Sequence, residues 1–101
     1  MHFVICYDIE NDRLRARTAK ILERHGCHRV QRSVFVAPYL ERKHLVRLRG
    51  ALKQCYARQP LSPDDSLLLV PLREEYVADI EVLGVNNIIT ALAEKPLKIM
   101  L

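Results

Sequence analysis

Residues 28–39 read HRVQRSVFVAPY, and whether they make one strand or two decides the fold. The stretch is rich in β-formers, with Val30, Val34, Phe35 and Val36. It can run as one long strand, or bend near Arg32-Ser33 into two short ones. Upstream, residues 2–9 (HFVICYDI) are apolar on both alternating faces, the mark of a strand buried on both sides. Asn11 or Asp12 then opens a helix running to about residue 25. Its core side is Leu14, Thr18, Ile21, Leu22 and His25, and Gly26 closes it.

Downstream, a second helix spans about 41–58, with Leu45, Leu48, Leu52 and Cys55 or Tyr56 at core spacing. QPLSPDD at 59–65 is a turn-rich connector. SLLLVPL at 66–72 is a further strand apolar on both faces, and its Pro71 suits a sheet edge or a strand end. EEYVADIEVLG at 74–84 reads as a short strand entering a turn at Gly84. Residues 87–94 read as a short helix, and PLKIML at 96–101 as a last short strand.

With 28–39 as two strands the order is β-α-β-β-α-β, a ferredoxin-like α+β fold with an extra C-terminal strand. Two helices cover only one face of such a sheet, yet two of its strands are apolar on both. A second copy of the sheet, facing the first in a two-fold homodimer, is the economical cover. The spare C-terminal strand can pair with an exposed edge, its own or the partner's.

The chain has 101 residues, which fits one domain spanning 1–101. Half of them are hydrophobic and only six are aromatic, so the core is mainly aliphatic. The three cysteines at 6, 27 and 55 form no CxxC pair, which points away from a disulfide framework or zinc ribbon and towards a reducing, cytoplasmic setting. With no charged-then-apolar leader and no run near 18 apolar residues, neither secretion nor a membrane span is expected.

Net charge is +4, but residues 13–58 alone hold 13 of the 16 Lys and Arg against only Glu23 and Glu41. Such asymmetry fits a polyanionic partner, most often nucleic acid, and Arg outnumbers Lys 11 to 5. A solvated basic surface is the plainer alternative.

Chemistry gathers at CYDIENDRLRAR, residues 6–17. The first strand puts Val4, Cys6 and Asp8 on one face and Phe3, Ile5 and Tyr7 on the other. A carboxylate beside Val4 and Cys6 needs a partner, a metal or water, unless it simply caps the next turn. One aspartate makes a poor Mg²⁺ site, but a dimer supplies a second by symmetry if Asp8 lies near the two-fold. A metal so held can activate water for phosphodiester hydrolysis. Glu10 and Asp12 are further carboxylates, Asp12 more simply a cap.

On the first helix Arg13, Arg17, Lys20 and Arg24 fall within about 60° of one another, a basic stripe opposite the core face. Arg15 lies off the stripe, nearer Asp8, where it can meet a carboxylate or the scissile phosphate. Arg29 and Arg32, and the basic residues of the second helix, add positive surface. His25-Gly26-Cys27-His28 offers three metal-ligand types but no second cluster, and reads as a helix-to-strand turn.

YDIENDRLRAR at 7–17, the helix ending in HG, RVQRSVF at 29–35 and DSLLLVPL at 65–72 together resemble the second CRISPR-associated (Cas) protein family, over about 80 residues in the right order. The resemblance implies a ferredoxin-like homodimer in which the C-terminal segment, about 76–101, is exchanged onto the partner. It implies that Asp8 is the catalytic and metal-binding position, one from each protomer, with Mg²⁺ or Mn²⁺ as cofactor. By motif position Tyr7, Arg15, Arg17, Arg29 and Phe35 are supporting residues. Members are credited with cutting single-stranded RNA or double-stranded DNA, and in spacer acquisition the dimer bridges two dimers of the CRISPR integrase. Val36 stands where many relatives carry an acid, leaving Asp8 with one fewer carboxylate nearby.

Two functions are expected on these grounds. One is a metal-dependent endonuclease of antiviral defence, acting on RNA or DNA. The other is an architectural DNA-binding dimer that docks the integrase. An RNA-recognition domain is disfavoured, because the strands lack clustered stacking aromatics.

Overall fold

The computed structural model describes residues 1–93 and makes 28–39 two strands. β1 (His2–Asp8) leads into α1 (Asp12–Arg24), then β2 (His28–Gln31), β3 (Val34–Ala37), α2 (Arg42–Arg58) and β4 (Ser66–Leu72). The sheet order is β2-β3-β1-β4 with every neighbouring pair antiparallel, the ferredoxin-like βαββαβ arrangement. Arg32 and Ser33 form the turn between β2 and β3. β1 lies in the middle, paired with β3 (Ile5 opposite Phe35) and with β4 (Asp8 opposite Ser66). Among the described residues β4 is an edge strand, which accommodates Pro71 and its missing N–H.

The helix boundaries obey local chemistry. Asn11, not Asp12, is the N-cap of α1, its side chain accepting the Leu14 N–H at 2.9 Å. Gly26, at φ 83°, takes the left-handed conformation that ends the helix and turns the chain into β2. Leu14, Thr18 and Leu22 of α1 and Leu48, Leu52 and Cys55 of α2 pack on the face of the sheet carrying Ile5, Tyr7 and Phe35. Inside this layer Thr18 and Tyr56 share a hydroxyl hydrogen bond of 2.8 Å, which satisfies a polar group that is fully buried.

The other face departs from expectation. Residues Glu74–Asp79 are not a strand but a 3₁₀ helix, and α3 (Ile88–Ala93) comes after it. Val77 and Ile80, three apart, turn to the same side and meet the second core cluster, in which Val30, Val36, Ala91 and Leu92 are buried. The start of the 3₁₀ helix is held by the buried His2, whose Nε2 pairs with the Glu74 carboxylate while its Nδ1 accepts the Tyr39 N–H. Asn86 donates to the Val30 carbonyl at 2.7 Å and fixes the approach to α3. Part of the face assigned above to a second copy is therefore covered by this chain itself. Leu68 and Val70 of β4 stay open, at 57% and 44% exposure. The expected strand PLKIML lies outside the described residues.

The HGCH stretch is the turn expected of it. Cys27 is buried, and burial pushes its thiol up to about 12, so it stays neutral. His25 caps α1 with its Nδ1 buried and, among the described residues, without a hydrogen-bond partner. Burial, then the positive Arg47 and then His44 lower its pKa below the ordinary 6.5. A depressed histidine means the unfolded chain binds the proton more readily. Stability from this source is complete above about 6.5 and is lost as pH falls below it. We expect the urea midpoint to drop as pH is lowered from about 7.5 to about 5.5, across the ordinary histidine range, and His25→Gln to flatten that drop. An unaltered pH slope in the variant would remove His25 as its source.

Candidate functional site

The alternation of β1 sends neighbouring side chains to opposite faces. Asp8 is exposed and shares its face with Val4 and Cys6, while Tyr7 is buried in the helix-side core. The functional residues expected at this end of the sheet thus divide between its two sides.

On the helix side, Tyr7, Arg15 and Arg29 converge on one open cleft with Asp12, Ala16 and Arg32. The buried Phe35 supports two of them from within the core: its ring stacks on Tyr7 at 6.2 Å between centroids, and the Arg29 guanidinium lies 5.0 Å above it. Register explains the second contact, since Arg29 sits directly opposite Phe35 across the β2–β3 pair. A guanidinium laid on an aromatic face is held in orientation while its N–H edges remain available. The Tyr7 hydroxyl reaches the Arg32 carbonyl at 3.5 Å, at the β2–β3 turn.

Arg15 does something more specific than the sequence indicates. Its Nη1 donates to the carbonyls of Ile9 at 2.9 Å and Glu10 at 3.2 Å, and its Nη2 pairs with Asp12. It clamps the bend between the end of β1 and the start of α1. The same loop is gripped from the other side by Asp65, which accepts the Glu10 N–H at 3.1 Å and the Ser62 N–H at 3.0 Å. Those two backbone donors, Ser62 foremost, lower the Asp65 pKa and favour its ionised form. Asp8 is thus an exposed acid at a strand end whose adjoining loop is fixed by two side chains. Periodicity reveals neither clamp. A carboxylate after the Ser62-Pro63 turn is the only sequence hint of Asp65, and Arg32 reads there as generic positive surface.

The stripe lies where helical spacing puts it. Arg13, Arg17, Lys20 and Arg24 are all exposed on α1. Arg17 donates to Gln59 at 3.3 Å, and Gln59 in turn donates to Asn11 at 3.3 Å, joining the end of α2 to the start of α1.

The described residues bring together no group of three or more His, Cys, Asp or Glu that could hold a metal ion. Asp8 offers the hard carboxylate oxygens that suit Mg²⁺ or Mn²⁺, but only one ligand group where such an ion takes about six donors. A resident cation fits this chain if a second copy completes its shell.

Sheet order, helix layer and basic cleft together define a small ferredoxin-like α+β protein with one strongly basic side. The family model for CRISPR associated protein Cas2 matches residues 1–80, from β1 through the 3₁₀ helix. The CRISPR-associated endoribonuclease Cas2 2 of Synechocystis sp. is 32% identical over 82 residues, which cover 81% of this chain and 83% of the relative. The crystal structure of a hypothetical protein from Thermus thermophilus superposes with a TM-score of 0.65 at 34% identity, covering 84% of this chain and 92% of that one. Streptococcus pyogenes Cas2, crystallised at pH 6.5, gives the same TM-score at 24% identity over 83% of this chain and all of its own, a likeness of fold. This chain belongs to the CRISPR-associated Cas2 family. No helix among the described residues is long and apolar enough to cross a membrane.

Proposed function

We propose that this protein is a metal-dependent endonuclease of the CRISPR system, cutting phosphodiester bonds in RNA or duplex DNA and taking part with the CRISPR integrase in spacer acquisition. One observation carries the reading: an exposed carboxylate, Asp8, closes the central strand of a Cas2-family chain, at the end of the sheet whose helix-side face carries a cleft with three arginines. The name of the Synechocystis relative, an endoribonuclease, adds support.

In this reading Asp8 from each of two protomers would hold Mg²⁺ or Mn²⁺. When bound, such a cation lowers the pKa of its water and offsets charge developing on the phosphoryl oxygens. The chain's own residues do the rest. Arg15 and Asp65 hold the loop after Asp8 in place. Arg29, steadied on Phe35, and Arg32 offer donors to flanking phosphates. The open apolar side chains Leu68 and Val70, on the Asp8 face of the sheet, suit burial against the partner. Exchange of the segment 76–101 would re-form between copies the contacts that Val77, Ile80 and Ala91 make within one, as domain swapping does.

The exposed stripe on α1 favours a second reading, an architectural dimer that carries duplex DNA and bridges integrase dimers whether or not it cuts. Chelation separates the two. Cleavage of labelled RNA or DNA should require added Mg²⁺ or Mn²⁺ and fall to background in EDTA, while duplex binding survives. Undiminished cleavage in EDTA would eliminate the metal-dependent enzyme.

A further inference from the structure

We infer that the groove between α1 and α2, on the outer side of the helix layer, is a second nucleic-acid track that grips backbone phosphates without reading bases. The inference rests on the nucleic-acid reading above and assigns it a site apart from the Asp8 end.

The groove is lined by Arg17, Ile21 and Arg24 from α1 and by Ala51, Gln54, Cys55 and Arg58 from α2, an open trough of about 430 Å³. Arg17, Ile21 and Arg24 are four and then three apart, one face of a helix. Ala51, Cys55 and Arg58 repeat that spacing on the facing helix. Because β1 and β3 are antiparallel, so are the helices that succeed them. Gln59, just past the end of α2, accordingly meets Asn11 and Arg17 near the start of α1. Arg17 and Arg58 therefore stand at one end of the trough and Arg24 towards the other.

No carboxylate lines it, and among the described residues none of the three arginines has an acid within 4.0 Å. Three other cations are matched, Arg15 by Asp12, Lys43 by Glu41 and Arg73 by Glu75; what sets the trough apart is three arginines facing one space that no carboxylate lines. Arg24 and Arg58 each sit in the last turn of a helix, where one cation suits the helix dipole. That accounts for neither Arg17 nor the convergence of all three on one trough.

The spacing fits a nucleic-acid strand. Seven residues of helix span about 10.5 Å, and phosphates in one strand of a duplex advance about 3.4 Å each along the axis, so Arg17 and Arg24 bracket about three phosphates. The floor is small and aliphatic, Ile21, Ala51 and Cys55, with no aromatic ring for a base to stack on. Recognition there is electrostatic and independent of sequence. Arg13 and Lys20, exposed on the same helix, extend the track. Asp8 lies across the sheet from it, so a strand in the trough is held, not cut.

The test uses the full chain carrying Asp8→Asn, so that no probe is consumed, and a fluorescein-labelled single-stranded RNA and duplex DNA of about thirty units each, long enough to span the track. Anisotropy titrations at several salt concentrations compare Arg24→Gln/Arg58→Gln with Lys43→Gln/Arg73→Gln, which removes the same charge from paired surface sites. The trough variant should bind at least one probe about tenfold more weakly at about 0.1 M salt. Its log K against log salt should flatten by about 1.8 for duplex or about 1.4 for single strand, with the control near the parent. Whichever probe responds names the form the track prefers. Equal losses in both variants, or no loss in the trough variant, would overturn the proposal. So would poly-glutamate displacing the probe as well as unlabelled nucleic acid does, which would make the trough a site for acidic protein. Absence of nuclease activity in the wild type would leave all these binding outcomes untouched.

Discussion

Asp8→Asn should abolish cleavage while leaving the protein folded. The substitution is isosteric, and the side chain is exposed at the end of β1, so its effect on stability should stay within about 0.5 kcal/mol. Its effect on chemistry is far larger. A metal that offsets developing charge contributes several kcal/mol to the transition state, and each 1.4 kcal/mol or so is a factor of ten in rate. We expect a loss of about a thousandfold in kcat, with little change in KM, because Arg29, Arg32 and the α1 stripe are untouched. Shared ownership of the metal makes a sharper expectation. If both Asp8 residues of a dimer are needed, an equal mixture of wild type and variant, after subunit exchange, should retain about a quarter of the unmixed activity, since only one dimer in four carries two acids. Retention of half would mean that each protomer works alone. Full activity in the pure variant would dismiss Asp8 as the catalytic acid altogether.

That prediction rests on a distinction legible in seven residues. Alternation along HFVICYD separates Asp8 from Tyr7, and the structure keeps them on opposite faces. The helices, the N-cap at Asn11, the positive-φ Gly26 and the split of 28–39 at Arg32-Ser33 are equally open to local reasoning. Each is governed by chemistry within a few residues of itself. The segment beyond β4 is not. EEYVAD has apolar residues too sparse to fix a period. Its 3₁₀ form is set by contacts distant in sequence, the Glu74 carboxylate meeting His2 and Tyr39. The same holds for cover on the second face. Ile88, Ala91 and Leu92 have helical spacing, but nothing local says that they fold back over Val30 and Val36 instead of leaving that face to a second copy. In the site, residue types are readable and partners are not. The arginine at 15 can be placed near Asp8, but not its two carbonyl acceptors, which exist only because the loop bends around it.

Phe35 tests whether the cleft is an accident of core packing. It is fully buried, opposite Ile5 and opposite Arg29, with Tyr7 stacked against it. Phe35→Ala should cost about 3–5 kcal/mol, much of the roughly 5–15 kcal/mol that holds a typical domain together, and says little about function because it threatens the fold. Phe35→Leu is the informative change. It keeps most of the buried volume and should cost about 1–2 kcal/mol, leaving a cooperative melt at a lower temperature. It removes the flat ring under the Arg29 guanidinium, a contact of about 0.5–1 kcal/mol. Arg29 should then wander, and KM should rise severalfold at nearly constant kcat. If Phe35 acts by steadying Arg29, its effect must vanish once the guanidinium is gone. The double variant Phe35→Leu/Arg29→Ala should match Arg29→Ala alone in KM, while their effects on stability still add apart from the lost ring contact. Additive effects on KM would assign Phe35 to the core and leave Arg29 to find its own orientation.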